Sequence, residues 1–300
     1  MLAAFLTTIL FSLSAIAGRR VSASLGGTVS NLARLALGAL LLGAWAEVFG
    51  FGLGRASFPW LFVSGCAGFG LGDLCMFQSY RRLGARRTLV LNQCLAAPFA
   101  ALTEWAWLGH APTWAQAGFG ALILVGVGVA LMPGRAEAQP AQGLAAGIGF
   151  GVVSALGQGL GAVLSRKAYA VAAAHGQAFH GVADGVNAAY QRMLGGICVT
   201  AVFFVYLKLA HRPDEARVND WRKAWPALLA NCLCGPVLGV TCYQWALMTQ
   251  PTNIVMPIVA TTPLVVMPLA HSLEGDRITA RTLLGGALAV AGVIGLTLAR

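Results

Sequence analysis

The chain has 300 residues, of which 58% are hydrophobic and only 10% are charged, and its mean hydropathy is +0.73. Soluble globular domains carry about 25% charged residues, so the composition excludes an ordinary soluble domain. The net charge of +10 does not indicate a nucleic-acid surface, because the basic residues stand mostly at the ends of apolar runs, as they do beside membrane spans. Composition therefore predicts an integral membrane protein.

Long stretches of the chain carry no charge at all. No Asp, Glu, Lys or Arg occurs from Ala138 to Ser165 or from Ala224 to Leu273, and each run exceeds the roughly 20 apolar residues that cross a bilayer. The second run is long enough for two spans, and Gln250-Pro251-Thr252-Asn253 predicts the turn between them. The sequence predicts ten transmembrane helices, at about 2–18, 30–50, 57–79, 88–108, 113–133, 143–165, 189–209, 224–247, 252–272 and 282–299.

An internal repeat divides these ten helices into two copies of five. Gly120–Val127 reads GALILVGV and Gly286–Val293 reads GALAVAGV, a shift of 166 residues. The loop Pro133–Gln142 is the natural midpoint, so we predict a first five-helix unit over 1–134 and a second over 142–300. Because five is odd, the two copies would cross the membrane in opposite senses. Inverted repeats are typical of secondary transporters, which bind substrate near the midplane between the copies.

Several short motifs recur in the same order as in a known family. They are Gly72-Asp73, Arg81-Arg82-Leu83-Gly84-Ala85-Arg86-Arg87, Pro98, Leu108-Gly109-His110-Ala111-Pro112-Thr113 and Gly120 followed by Gly126-Val127, with an echo in the second copy. Over essentially its whole length the chain resembles the EamA family of the drug/metabolite transporter (DMT) superfamily. The resemblance implies an all-α, multi-pass protein of the inner cell membrane, with two inverted five-helix repeats that export or exchange small metabolites by alternating access. Members usually carry Glu where this chain has His110, with Asp276 in the second copy.

Asp73 is the sharpest candidate for a functional side chain, because an ionisable group inside a span is costly. It lies in the third predicted helix, with Tyr80 on nearly the same face, and its counterpart in the second copy is Gly239. One interpretation is a proton-coupled carboxylate that lines the substrate pathway. The other is a carboxylate at a helix end that reaches interfacial water or pairs with Arg81 or Arg82.

The remaining candidates for the substrate pathway are polar side chains within the predicted spans: Gln78, Asn92, Gln93, Gln158, Asn231, Tyr243 and Gln244. Gln78 and Gln244 are related by the repeat, which fits a symmetric lining, although each could equally bond a neighbouring helix. Helix-to-helix bonding is also the alternative for the other amides. Tyr243 could offer its ring to an aromatic or cationic substrate or pack against its neighbours.

Six cations near predicted helix ends are also related by the repeat: Arg19, Arg20, Arg34, Arg166, Lys167 and Arg192. They could attract an anionic substrate, but anchoring to lipid headgroups is the favoured interpretation. The odd-numbered connections hold 15 of the Lys and Arg residues, which predicts cytoplasmic odd loops. The family resemblance instead places both termini in the cytoplasm, and both orientations stay open.

We expect no enzyme, cofactor or metal site. The sequence has no GxxxxGK[ST] and no GxGxxG motif, and its seven cysteines include no CxxC pair. His175, His180 and Asp184 form only a loose metal possibility. The expected partners are a small-molecule metabolite, the lipid bilayer and a coupled proton or other ion, with no nucleic acid. The leading hypothesis is a secondary transporter; the alternatives are a flippase for lipid-linked substrates and, less favoured, a membrane-embedded enzyme.

Overall fold

The computed structural model describes residues 1–108, 113–131, 143–177, 179, 181–211, 220–249, 255, 258–274 and 279–299. All regular structure in these ranges is helical. The α-helices are α1 (Leu2–Leu25), α2 (Gly27–Phe49), α3 (Phe58–Gly65), α4 (Asp73–Leu89), α5 (Leu95–Leu108), α6 (Trp114–Leu131), α7 (Leu144–Ala174), α8 (Val182–Leu209), α9 (Trp221–Cys232), α10 (Leu238–Thr249), α11 (Thr262–Glu274) and α12 (Ala280–Leu298). Three π-helical segments join consecutive helices, at Cys66–Gly72, Val90–Cys94 and Leu233–Val237.

The helices have the length and composition of membrane spans. In the described ranges, eight helical stretches are long and apolar enough to cross a bilayer. One of them, Phe58–Trp107, has 50 residues, and Ile258–Leu273 is a shorter apolar helix. The chain is therefore an all-helical, multi-pass membrane protein, as its composition predicts. The predicted turn at Gln250–Asn253 and the predicted midpoint loop Pro133–Gln142 lie outside the described residues.

The 50-residue stretch is interrupted at Gly84. This residue has φ 78° and ψ 173°, a conformation that glycine adopts far more easily than a residue with a side chain. The hydroxyl groups of Ser79 and Thr88, nine positions apart, are 3.0 Å apart, whereas a continuous helix would place them about 13 Å apart along its axis. The chain therefore folds back at Gly84, between the third and fourth predicted helices, although most of the predicted 80–87 connection is helical.

Three predicted helix ends are wrong. α1 continues through Arg19 and Arg20 to Leu25 instead of ending at 18, and α7 continues through Arg166 and Lys167 to Ala174 instead of ending at 165. α8 begins at Val182, seven residues before the predicted start. An apolar run marks where the chain enters lipid, not where its helix ends, and Arg and Lys are themselves good helix formers.

The last helices of the two halves pack closely and antiparallel. Gly126 of α6 lies so close to Gly285 and Ala289 of α12 that a Cβ on it would meet their backbone at 2.4–2.8 Å. A Cβ on Gly292 of α12 would meet Ile123 and Phe119 of α6 at 2.7–3.1 Å. The two sets of contacts are equivalent under the repeat. At a shift of 166 residues, 119 corresponds to 285, 123 to 289 and 126 to 292, so each helix takes the role that the other has in the first set.

The second helices of the two halves pack in the same manner. Asn31 Nδ2 of α2 donates to Thr200 Oγ1 of α8 at 3.0 Å, and Gly43 of α2 lies against the ring of Tyr190 of α8. Positions that rise along α2 meet positions that fall along α8, so this pair is also antiparallel. Small residues permit the close approach, as is usual between helices in lipid.

A buried cavity between the two halves

A cavity of about 80 Å³ lies between the halves of the chain, with side chains from both halves in its wall. This space is large enough for several water molecules or a small organic molecule. Its apolar lining includes Phe11, Phe69, Met76, Leu89, Val240 and Val259. Its polar lining comprises Ser14, Arg34, Asp73, Tyr80, Asn92, Gln93, Gln158, Arg192 and Tyr243.

All three π-helical segments of the described chain border this cavity. Cys66–Gly72 contributes Phe69, Val90–Cys94 contributes Asn92 and Gln93, and Leu233–Val237 contributes Gly235 and Pro236. The first and third segments overlap at the repeat shift of 166 residues, so the same distortion occurs at the same place in each half. π-Helical turns interrupt the regular backbone ladder and are frequent at functional sites. Here the second segment supplies two amides to the lining, and the first and third supply Phe69, Gly235 and Pro236.

Asp73, at the start of α4, is buried in the cavity wall with 2% of its surface exposed. Its Oδ2 forms an ion pair with Arg34 Nη2 of α2, and its Oδ1 accepts a hydrogen bond of 3.0 Å from Gln158 Nε2 of α7. The alternative of an interfacial carboxylate paired with Arg81 or Arg82 is therefore wrong. Tyr80, one heptad later on the same face, also lines the cavity.

The buried side chain of Arg34 has a hydrogen-bond partner, an aromatic neighbour and an ion-pair partner. It is 2% exposed, its Nε donates to Asn31 Oδ1 at 3.0 Å, and its guanidinium lies 4.8 Å from the centre of the Phe77 ring. The Asp73 carboxylate completes its surroundings. Hydrogen bonds and charge compensation of this kind are what permit a cation to be buried.

Arg192 of α8 also lines the cavity and is 3% exposed. Its guanidinium lies 5.1 Å from the centre of the Phe69 ring, but within the described chain it makes neither a hydrogen bond nor an ion pair, and its Nε is fully buried without a partner. The predicted headgroup anchoring is therefore wrong for Arg34 and Arg192. The sequence offers one signal for them, since they correspond at a shift of 158 residues; their depth is seen only in the structure, where α2 begins at Gly27 and α8 at Val182.

Five of the eight predicted pathway residues line the cavity: Asp73, Asn92, Gln93, Gln158 and Tyr243. Asn92 is anchored by a 2.5 Å hydrogen bond from its Nδ2 to Ser154 Oγ, and the ring of Tyr243 lies 6.1 Å from that of Phe11. Whether any of these side chains contacts a transported molecule stays a prediction.

The other three predicted residues are absent from the cavity lining and bond within the protein. Gln78 Oε1 accepts from Arg82 Nη1 at 2.8 Å. Asn231 Nδ2 donates to the backbone and hydroxyl oxygens of Ser14, at 2.8 and 2.9 Å, and so joins α9 to α1. Gln244 Oε1 accepts from Tyr169 Oη at 2.5 Å, which joins α10 to α7.

The described residues contain no group of three or more His, Cys, Asp or Glu side chains that could hold a metal ion. Of the loose histidine possibility, His175 and Asp184 are described, whereas His180 lies outside the described residues. His110 and Asp276, where the sequence departs from its resemblance, also lie outside them.

Together these features define a class: a helical membrane protein with a charged cavity buried between two related halves. A family model described as the EamA-like transporter family matches residues 1–132 and 145–298. The chain belongs to this family, as its motifs indicate, and is thus a membrane transporter of the DMT superfamily.

A solved structure, titled only as the crystal structure of a protein, has 18% sequence identity and a TM-score of 0.64 over 99% of this chain and 96% of that one. At that identity the likeness shows the fold alone. A comparison with curated proteins finds no match.

Proposed function

We propose that the protein is a secondary transporter that exports or exchanges small organic metabolites in the inner cell membrane, and that the buried cavity is its substrate site. The observation that carries the proposal is the placement of Arg34, Asp73 and Arg192 around a shared space between the halves. Ionisable side chains within membrane spans are expensive, and they mark substrate or ion pathways when they face such a space.

The architecture we infer is ten spans in two inverted units. Counting Phe58–Trp107 as two spans because it folds back at Gly84, and adding the shorter helix Ile258–Leu273, gives ten among the described helices. The antiparallel packing of α2 with α8 and of α6 with α12 supports the inversion. Two related helices that run in opposite directions are related by a two-fold axis perpendicular to both. When the helices span the membrane, this axis lies in the membrane plane.

The inferred symmetry supports alternating access as the mechanism. Two units related by a two-fold axis can exchange their conformations, so the same cavity opens to one side and then to the other. The π-helical segments at Cys66–Gly72 and Leu233–Val237 occupy matching places at the cavity in each unit. They are the positions at which we propose that the helices bend during the exchange.

We propose that ion coupling acts through Asp73. Both of its oxygens are occupied, one by Arg34 and the other by Gln158. A proton or other cation that binds this carboxylate would compete with Arg34 for its negative charge, and this would connect ion binding to a rearrangement between α2 and α4.

The cavity favours a small metabolite over the larger cargo of a flippase. A volume of about 80 Å³ admits a small molecule, whereas a lipid-linked sugar needs a larger space that is continuous with the bilayer. Nothing in the described residues favours the embedded enzyme over transport, since the charged groups at the cavity are two arginines and one carboxylate.

The proposal is tested with the purified chain in proteoliposomes, challenged with a panel of radiolabelled amino acids, organic acids, nucleosides and amines. We expect saturable movement of at least one compound. Ala162 lines the cavity from α7, so Ala162→Phe should fill the space and abolish that movement. Ala146→Phe, at an exposed position of the same helix, is the matched control and should leave it intact.

Failure of every panel compound to move would contradict transport. If instead the Ala162→Phe protein were folded and moved its substrate at the wild-type rate, the cavity would not be the substrate site.

A further inference from the structure

The charges at the cavity are unequal in number. Two arginines, Arg34 and Arg192, and one carboxylate, Asp73, border it, which leaves one net positive charge in their ionised forms. Arg34 and Asp73 neutralise each other through a direct ion pair. The excess charge therefore resides on Arg192.

Arg192 is buried at the cavity without an ion-pair partner among the described residues. Its side chain is 97% buried and it faces the cavity, yet no described residue accepts a hydrogen bond from its guanidinium. Asp73 attracts it only at longer range, beyond ion-pair contact. A buried cation of this kind normally has a paired anion, because an unpaired charge in a poorly solvated interior is strongly destabilising.

The repeat explains how this imbalance arises. The position in the second half that corresponds to Asp73 is Gly239. A Cβ at Gly239 would lie 2.4 Å from the carbonyl oxygen of Cys234 and 2.8 Å from the Phe11 ring, so the packing leaves no room for a carboxylate there. The duplication has provided two arginines, but the fold accommodates the acid in one half alone.

We propose that the cavity binds a small organic anion whose carboxylate group is held by Arg192. This inference rests on the proposed transport function and names its substrate class. A guanidinium matches the two oxygens of a carboxylate with two parallel N–H donors, and the cation of Arg192 has no other acceptor among the described side chains.

The charge and shape of the cavity restrict the anion further. One net positive charge is neutralised by a monoanion, whereas a dianion would leave an uncompensated negative charge beside Asp73 in a poorly solvated space. Phe11, Met76 and Val240 form an apolar part of the wall. The ligand is therefore a small monocarboxylate with an apolar body, and not a phosphate dianion, a dicarboxylate or a cation.

Binding can be measured on the full chain in detergent by the shift of its thermal unfolding temperature. The probes are pyruvate and benzoate as monocarboxylates, succinate, inorganic phosphate, choline and glucose, with sodium chloride at matched ionic strength. We expect pyruvate or benzoate to raise Tm saturably and the other probes to leave it unchanged. Arg192→Gln should weaken that binding by about 10- to 100-fold, as expected for lost hydrogen bonds to a charged group.

Arg192→Lys keeps the charge but loses the two-pronged geometry, so its affinity should lie between those of the wild type and Arg192→Gln. Arg222→Gln, at an exposed position at the start of α9, is the matched control and should bind as the wild type does. The wild-type panel itself needs no variant, so the inference can be judged even if the Arg192 variants fail to fold.

Saturable stabilisation by choline, glucose, succinate or phosphate without an effect of the monocarboxylates would overturn the inference, as would unchanged affinity in a folded Arg192→Gln protein. These outcomes differ from failure of the proposed function. A protein that moves a cation through the cavity, sensitive to Ala162→Phe but not to Arg192→Gln, would be a transporter with another substrate class.

Discussion

The charge balance of the cavity makes a prediction about stability that needs no substrate. Asp73→Asn removes the single negative charge and leaves Arg34 and Arg192 together, for a net charge of +2. Arg34→Gln removes one of two positive charges and leaves Asp73 with Arg192, for a net charge of zero. Although both substitutions break the same ion pair, we expect the loss of Asp73 to be the more damaging.

The magnitudes follow from burial. Asp73 and Arg34 are each 2% exposed, and removal of one partner from a buried ion pair costs about 3–5 kcal/mol because the other charge is left uncompensated. Asp73→Asn should reach this range, because it leaves Arg34 without its ion-pair partner and leaves two cations, Arg34 and Arg192, at the same cavity. Arg34→Gln should cost about 1–3 kcal/mol, the value of hydrogen bonds to a charged group, because Gln158 and the nearby Arg192 still stabilise the carboxylate.

The double variant restores the wild-type net charge of +1, so Asp73→Asn with Arg34→Gln should be more stable than Asp73→Asn alone. Non-additivity of about 0.5–3 kcal/mol is usual for residues in contact. The ion pair between Arg166 and Glu104 supplies the control, since its side chains are 41% and 22% exposed. Exposed pairs contribute about 0–1 kcal/mol, so Glu104→Gln should leave stability nearly unchanged.

The assay is thermal unfolding of the four purified variants and the wild type in one detergent, followed by intrinsic fluorescence of the tryptophans. At roughly 2 °C per kcal/mol for a chain of this size, Asp73→Asn should lower Tm by about 6 °C or more. If Arg34→Gln lowered Tm more than Asp73→Asn, or if the double variant were the least stable of all, the assignment of an excess positive charge to the cavity would be refuted.

Two further predictions concern packing and ion coupling. Gly157→Ala in α7 should destabilise the protein by about 1–3 kcal/mol, as overpacking does, because the new Cβ would lie 2.6 Å from the carbonyl oxygen of Ala67. Gly149→Ala in the same helix is the control, since its Cβ would meet nothing within 4 Å and the change should be neutral or slightly stabilising. Equal Tm values for the two variants would contradict the close contact at Gly157. In proteoliposomes, an imposed pH gradient should accelerate substrate movement by the wild type but not by Asp73→Asn, and an unchanged response in the variant would exclude coupling through this carboxylate.

The sequence predicts the parts of this fold that depend on whether side chains prefer lipid or water. Apolar runs long enough to cross a bilayer identify the spans, and the motifs identify the family that the family model bears out. The helix ends are less predictable, because α1 continues through Arg19 and Arg20, and α7 continues past the last apolar residue of its run. A hydropathy pattern ends at the first charge, while the backbone hydrogen bonds of a helix do not.

The candidate site is predictable only in part, because the sequence gives the cost of a polar group in lipid but not the direction in which it points. That cost identifies Asp73 and Gln158, which the structure places in contact. It also applies to Gln78 and Gln244, whose amides the structure turns toward other side chains. Arg34 and Arg192 are overlooked when all cations are treated as headgroup anchors. The rule for cations describes helix ends, and these two lie deep inside their helices.

The binding chemistry depends on the break in the symmetry and not on the symmetry itself. Were the two halves identical at the cavity, each arginine would face its own aspartate, both cations would be neutralised by the protein, and neither would have a reason to take an external anion. Gly239 prevents this, since the carbonyl oxygen of Cys234 occupies the space that a side chain would need. The related helices preserve the alternation between two conformations, while the single missing carboxylate leaves Arg192 available to a ligand.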